Sequence, residues 1–470
     1  MVFSSFSFLF VFLPVLLIVY YIMPKRFRES RNIILLVFSL FFYAYGGPEF
    51  LPLMLVSIII NYVFGILSAP ERRRSKLAVT LAVIINLGLL AWFKYAVFFC
   101  ENLNNVGLSL IVPQIVLPIG ISFYTFHGMS YVIDIHRGRE RPEKNPLRVA
   151  LYISLFPQLI AGPIVRYNTI AHELSDRNEN LADWAGGGVR FAIGLAKKVI
   201  IANTIGELAD AAFSVHTGEL TVSLAWLGAL AYTAQIYFDF SGYSDMAIGL
   251  GRIFGFHFHE NFNYPYVSKS VTEFWRRWHI SLSTWFRDYV YIPLGGNKMG
   301  KWRQIFNMLV VWALTGFWHG ASWTFLLWGL YYFLLLVCEK YVWNTLLEKM
   351  PSGLRSVYTM LFVILGWVLF RSDTAGYAFS VLKAMFGGAA FADGRTVYYL
   401  KEYLWIIVIA VIAALPVKNY LESFVDKRKN KPFGEAVKIW MPKLWALAML
   451  AICYMRLLSS TFNPFIYFKF

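Results

Sequence analysis

The chain has 470 residues, of which 58% are hydrophobic and 15% charged, with a mean hydropathy of +0.55. Soluble domains carry roughly 25% charged residues, so the composition excludes an ordinary soluble enzyme and points to a polytopic membrane protein. The net charge of +16 fits basic cytoplasmic loops beside anionic lipid; the basic residues cluster between apolar runs, and no nucleic-acid-binding module is visible.

The first apolar run, Phe3 to Met23, has no charge before it and is followed by Lys25, Arg26, Arg28 and Arg31. A signal peptide has the opposite arrangement, so a retained first span with its N-terminus outside is expected. Asn32 to Tyr45 and Phe50 to Leu67 give the next two spans, joined by Gly46-Gly47-Pro48-Glu49. The loop Glu71-Arg72-Arg73-Arg74-Ser75-Lys76 is basic and therefore cytoplasmic by the positive-inside rule, and Leu77 to Phe99 is a fourth span. Ile111 to Ile135 contains Pro113, Pro118 and Gly120, and Leu147 to Val165 contains Pro157, Gly162 and Pro163. Proline and glycine predict broken or re-entrant helices there, which survive only when buried in protein or lining a cavity.

Gly186 to Ile205 and Leu220 to Phe240 read as ordinary spans. Asp239 and Asp245 are six residues apart, about 600° of helix rotation, so they are expected as separate helix-end or loop groups rather than a paired-carboxylate site. Val357 to Phe370, Leu404 to Pro416 and Leu444 to Leu458 complete the membrane part. The basic loop Asp426 to Lys431 is assigned to the cytoplasm, which leaves the tail Thr461 to Phe470 outside. The fold class expected is an all-α polytopic membrane protein with roughly eleven or twelve crossings. One membrane core, residues 1–458, precedes a tail, 459–470.

The apolar run from Ile305 to Cys338 holds a single histidine, His319, between Gly316 and Gly320. The run is longer than the roughly 20 helical residues that cross a bilayer core, so it must tilt steeply or break, and the glycines are where it could. A histidine here is either a functional group or a core residue satisfied by a neighbouring carbonyl. The stretch from Glu273 to Gly296 is dense in both charge and aromatics, which suits an amphipathic element at the cytoplasmic interface. Its Arg276, Arg277 and Arg287 could bind the phosphates of a soluble cosubstrate or anionic lipid headgroups. Cys100, Cys338 and Cys453 are far apart and read as packing residues. His257 and His259 lack further ligands at suitable spacing, so no metal site is expected. His127 and His136 lie in the broken segment, and His172 and His216 in polar stretches.

Trp275-Arg276-Arg277-Trp278-His279, then Tyr291-Ile292-Pro293-Leu294-Gly295-Gly296, then Gly316-Phe317-Trp318-His319-Gly320 resembles the signature of the membrane-bound O-acyltransferases. Tyr237 to Asp245 and Phe156 to Ile164 are similar to the AlgI-type bacterial subgroup, and the resemblance spans nearly the whole chain. It implies a ring of tilted or broken helices around a central funnel, with His319 as the catalytic histidine and His279 as a second active-site histidine. It also implies an acyl donor from the cytoplasm, acetyl-CoA as a cosubstrate rather than a bound cofactor. An extracytoplasmic SGNH-type acetyltransferase and an exported polysaccharide would be the partners, and a bacterial cytoplasmic membrane the location. In acyl transfer from a thioester to a hydroxyl, His319 would be the general base, while His279 would orient the donor or stabilise the oxyanion.

The tail, Phe462 to Phe470, resembles the C-terminal aromatic motif of this subgroup and of the small DltX protein of teichoic acid D-alanylation. By that resemblance Tyr467 would carry the acyl group as a phenyl ester; otherwise the aromatics are an interfacial anchor. D-alanyl transfer of the DltB type and a transporter are the alternative functions.

Overall fold

The computed structural model describes residues 1–387, 389–417, 420, 432–459 and 463. Tyr467 lies outside them. Among the described residues every regular element is helical. The contacts divide the chain into two compact units, Met1–Phe191 with Tyr243–His259, and Ala192–Gly242 with Glu260–Phe470.

In the first unit, α1 (Leu13–Ile22) and α2 (Arg28–Ala44) are followed by α3 (Leu51–Leu67) and α4 (Ser75–Asn105). The segment rich in Pro and Gly has no helix until Gly120, whose positive φ of 75° starts α5 (Ile121–His136). A Cβ there would meet the Leu159 carbonyl, so this turn requires glycine. Likewise the next segment yields only α6 (Pro146–Ser154) and a single turn to Leu159, and α7 (Tyr167–Ser175) follows. Large apolar side chains such as Ile18, Ile59, Ile84 and Trp92 are exposed. The interior instead holds polar groups: Asn61 and Asn86 pair at 3.1 Å, and Glu179 meets Tyr20, Arg28 and Arg31. Apolar outside with satisfied polar groups inside is the arrangement lipid selects.

The expectation of two ordinary spans between 186 and 240 needs revision. Helix α8 (Leu181–Ala196) runs through a π-helical turn, Lys197–Ala202, into α9 (Asn203–Phe213). Helix α10 is continuous from Val222 to Ile253, so Asp239 and Asp245 are mid-helix residues, not loop or helix-end groups. Each carboxylate has a cation beside it in the fold. Lys198 Nζ lies 2.7 Å from Asp239 and Arg190 2.6 Å from Asp245, on different faces as the rotation requires. Six helices among the described residues are long and apolar enough to cross a membrane: Pro48–Leu67, Ser75–Asn105, Trp323–Tyr341, Ser352–Arg371, Gly394–Ala414 and Ile439–Ser459.

In the second unit, α11 (Val271–Arg277) and α12 (Ile280–Phe286) are short and meet at Trp278-His279, and a π-helical turn, Arg287–Tyr291, follows. The long apolar run is two helices, α13 (Lys301–His319) and α14 (Trp323–Tyr341), with Gly320 extended between them and the Ser322 side chain capping α14. They pack as a hairpin, and α15 (Ser352–Arg371) packs on α14. Glycines set the close approach: a Cβ on Gly329 would strike the Trp312 carbonyl and one on Gly316 the Phe325 carbonyl. Gly329→Val is therefore expected to force α13 from α14 and to destabilise the protein by about 1–3 kcal/mol. Thermal unfolding in detergent checks this, with Gly353→Ala, where a Cβ would meet open space, as the neutral control.

Candidate active site

His319 is the last residue of α13, placed there because the helix stops at Gly320. It is buried, 7% exposed, and its ring meets Trp318, Trp328 and Phe370 edge-on at 5.0, 5.1 and 5.1 Å between centroids. Trp328 comes from α14 and Phe370 from α15, so three helices fix the imidazole plane. Trp275, Trp312, Tyr332 and Trp367 extend this aromatic packing.

His279 caps the start of α12 with φ 44° and ψ 53°, a left-handed conformation uncommon outside glycine. Such strain persists only where the surroundings hold it. Here Asn261 does so: its backbone carbonyl accepts from Ile280 N at 3.0 Å, and its Oδ1 accepts from Ser281 N at 3.2 Å and from the Ser281 hydroxyl at 2.9 Å. His279 Nδ1 also lies 3.2 Å from that oxygen. Phe240 packs edge-on against the His279 ring at 4.7 Å. The Trp318 ring lies 5.9 Å from His279 and also touches His319, so one indole links the two histidines.

Both histidines line a single cavity of about 650 Å3 within the second unit, a volume ordinary for a small-molecule site. Arg276 and Arg287 line it too, whereas Arg277 does not. Consecutive helical residues point about 100° apart, and Arg277 turns instead to Glu273, 2.8 Å away. The Glu273 carboxyl is pulled up by burial, but the Lys269 N–H and the Arg277 guanidinium outweigh this and hold it below the usual range. Hydrogen bonding to Asp288 raises Arg287 above the ordinary guanidinium value. The cavity adds Lys340, Arg355 and Glu339, which the sequence reading did not single out. Glu339 lies one residue past the apolar run and caps α11, accepting from Val271 N, Thr272 N and the Thr272 hydroxyl at 2.6, 2.9 and 2.7 Å.

The other histidines lie elsewhere. His127 is buried beside Tyr152, His136 Nδ1 is 2.6 Å from the Ser75 hydroxyl, and His257 Nδ1 is 2.7 Å from Glu173.

A buried imidazole pair in an aromatic-walled cavity with a basic rim suits acyl transfer from an anionic, soluble donor. Residues 112–370 match the family described as membrane-bound O-acyltransferase, MBOAT. The chain belongs to that family. It is 39% identical to the "Probable alginate O-acetylase AlgI" of Azotobacter vinelandii, over the whole of both chains. It is 34% identical to the "Peptidoglycan O-acetyltransferase" of Helicobacter pylori, over 100% of this chain and 98% of that one. Similarity to the "Teichoic acid D-alanyltransferase" of Bacillus subtilis, 32% identical, covers 54% of this chain and 68% of that one. The protein is thus a multi-pass membrane acyltransferase, and the matched MBOAT region includes both histidines and the whole cavity lining.

Glu339→Ala is expected to leave one buried and one partly buried N–H group of α11 without acceptors, at about 1–3 kcal/mol, and to lower acyl transfer through displacement of α11 and His279. Unfolding curves and turnover measured on the same preparation check it; Glu339→Gln, which keeps an acceptor oxygen, should recover part of both.

Proposed function

We propose that this protein moves acetyl groups from cytosolic acetyl-CoA across the bacterial cytoplasmic membrane for O-acetylation of an exported or cell-envelope polysaccharide. The observation that carries the reading is one cavity lined by His279, His319, Arg276 and Arg287, in a chain similar over its full length to proteins named as O-acetylating enzymes. His319 is the general base. It takes the proton of the acceptor hydroxyl as the oxygen attacks the thioester carbonyl; the C–S bond then breaks, and the leaving thiolate takes the proton back from the imidazolium. Neutral imidazole is suited to both steps near pH 7. Arg276 and Arg287 hold the donor's phosphates, since guanidinium matches phosphate geometry.

Tyr467, on a tail placed outside together with the N-terminus, carries the acetyl group as a phenyl ester. It hands the group to an SGNH-type acetyltransferase partner that acts on the polymer. A phenol has a pKa near 10, so its ester stays activated relative to an alkyl ester. D-alanyl transfer is the weaker reading because likeness to the teichoic acid enzymes covers about half of the chain.

Purified protein incubated with acetyl-CoA, followed by intact and peptide mass measurement, tests the relay. Wild type should gain an acetyl group on the terminal peptide, and Tyr467→Phe should gain none. In His319→Ala the loading rate should fall by roughly 10²–10⁴-fold, the range of a lost general base. Acetylation persisting in Tyr467→Phe would move the acceptor elsewhere, and no consumption of the thioester under any condition would overturn the acetyl-CoA donor.

A further inference from the structure

We infer that Asn261 is a positioning residue that fixes the tautomer of His279. This makes His279 a hydrogen-bond acceptor that orients the acyl donor rather than a hydrogen-bond donor to the oxyanion. The inference rests on the acyl-transfer reading and chooses between the two roles open to His279 within it.

An amide side chain can be turned over without changing its shape, so its orientation must come from neighbours of known polarity. A backbone N–H is one. Ser281 N lies 3.2 Å from Asn261 Oδ1, and turning the amide over would set two donors against each other. The amide holds this orientation even though its Nδ2 has no hydrogen-bond partner among the described residues and the residue is fully buried. The oxygen facing Ser281 is therefore the one that also faces His279 Nδ1 at 3.2 Å.

An amide oxygen only accepts, so Nδ1 must carry the hydrogen. The Ser281 hydroxyl does not supply an alternative: it sits 2.9 Å from the same oxygen and 3.5 Å from Nδ1, so its proton goes to Asn261. In the neutral ring Nε2 then bears the lone pair. A neutral imidazole in this tautomer cannot give a hydrogen bond from Nε2 to a developing oxyanion. It can take one from an amide N–H on the arm of a thioester donor lying in the cavity that His279 lines. The left-handed backbone at His279, with Asn261 bonded to the backbone on its C-terminal side, keeps the ring in this setting.

The tautomer can be read without substrate, so its failure is distinct from failure of the acetyl-transfer reading. Full-length protein labelled with 15N-histidine, with the His279 signal assigned by its loss in His279→Gln, should give the Nδ1–H form of a neutral ring. An Nε2–H form would overturn the inference.

Asn261→Asp keeps an acceptor but adds a negative charge opposite Nδ1–H, which favours the imidazolium. The charged groups already around the cavity are Arg276, Arg287, Glu339, Lys340, Glu348 and Arg355, and all of them are kept. Protonation of the His279 ring, followed by its 15N signals, should therefore move to higher pH by about 1–3 units. Asn261→Ala should lower kcat/KM for acetyl-CoA by about 10- to 100-fold. An unchanged protonation of His279 in Asn261→Asp, with Asn261→Ala losing only thermal stability, would leave Asn261 a structural residue and overturn the assignment.

Discussion

Buried backbone that is not helical must have every peptide group satisfied by something other than its own helix. The segment from Asn261 to Gly296, which carries His279, Arg276 and Arg287, is broken into short helices and turns. Side chains remote in sequence supply what the helices do not. Glu339 on α14 takes the first amides of α11, the Asn261 side chain takes that of Ser281 while its backbone carbonyl takes that of Ile280, and Asn307 on α13 gives its amide to the Gly296 carbonyl at 2.9 Å. Without these contacts the segment would have no reason to hold a histidine in a left-handed conformation against the end of α13. The cavity depends on that pairing.

The same arrangement gives the site its chemical character. The aromatic rings around His319 fix the imidazole plane. The charged groups lie toward Arg276, Lys340 and Arg355, and their excess is positive. One cavity thus carries both buried histidines and an excess of cationic side chains. The hairpin of α13 and α14 is drawn close at Gly316 and Gly329, where backbone rather than side chain makes the contact.

Much of this was legible in the sequence, for identifiable reasons. A lone histidine flanked by glycines in an overlong apolar run marks a helix break, and the chain breaks there. Proline and glycine between 111 and 165 likewise forecast irregular backbone. What escaped the sequence reading was paired through space. Asp239 and Asp245 read as separate helix-end or loop groups from their six-residue spacing, whereas in the fold both lie within one helix beside Lys198 and Arg190. Arg276 and Arg277 looked equivalent, but helical rotation gives one to the cavity and the other to Glu273. Asn261 and Glu339 bind backbone groups of segments 20 and 67–68 residues away, and no spacing rule encodes such a partner.

The most direct measurement is a structure of the protein with acetonyl-CoA, a thioether analogue that cannot transfer its acyl group. The expected result is density for the analogue in the cavity of the second unit, with its ketone beside His319 and its phosphates toward Arg276 and Arg287. Density for the ligand elsewhere, with the cavity around His319 empty at saturating analogue, would contradict a thioester-using site built on these two histidines.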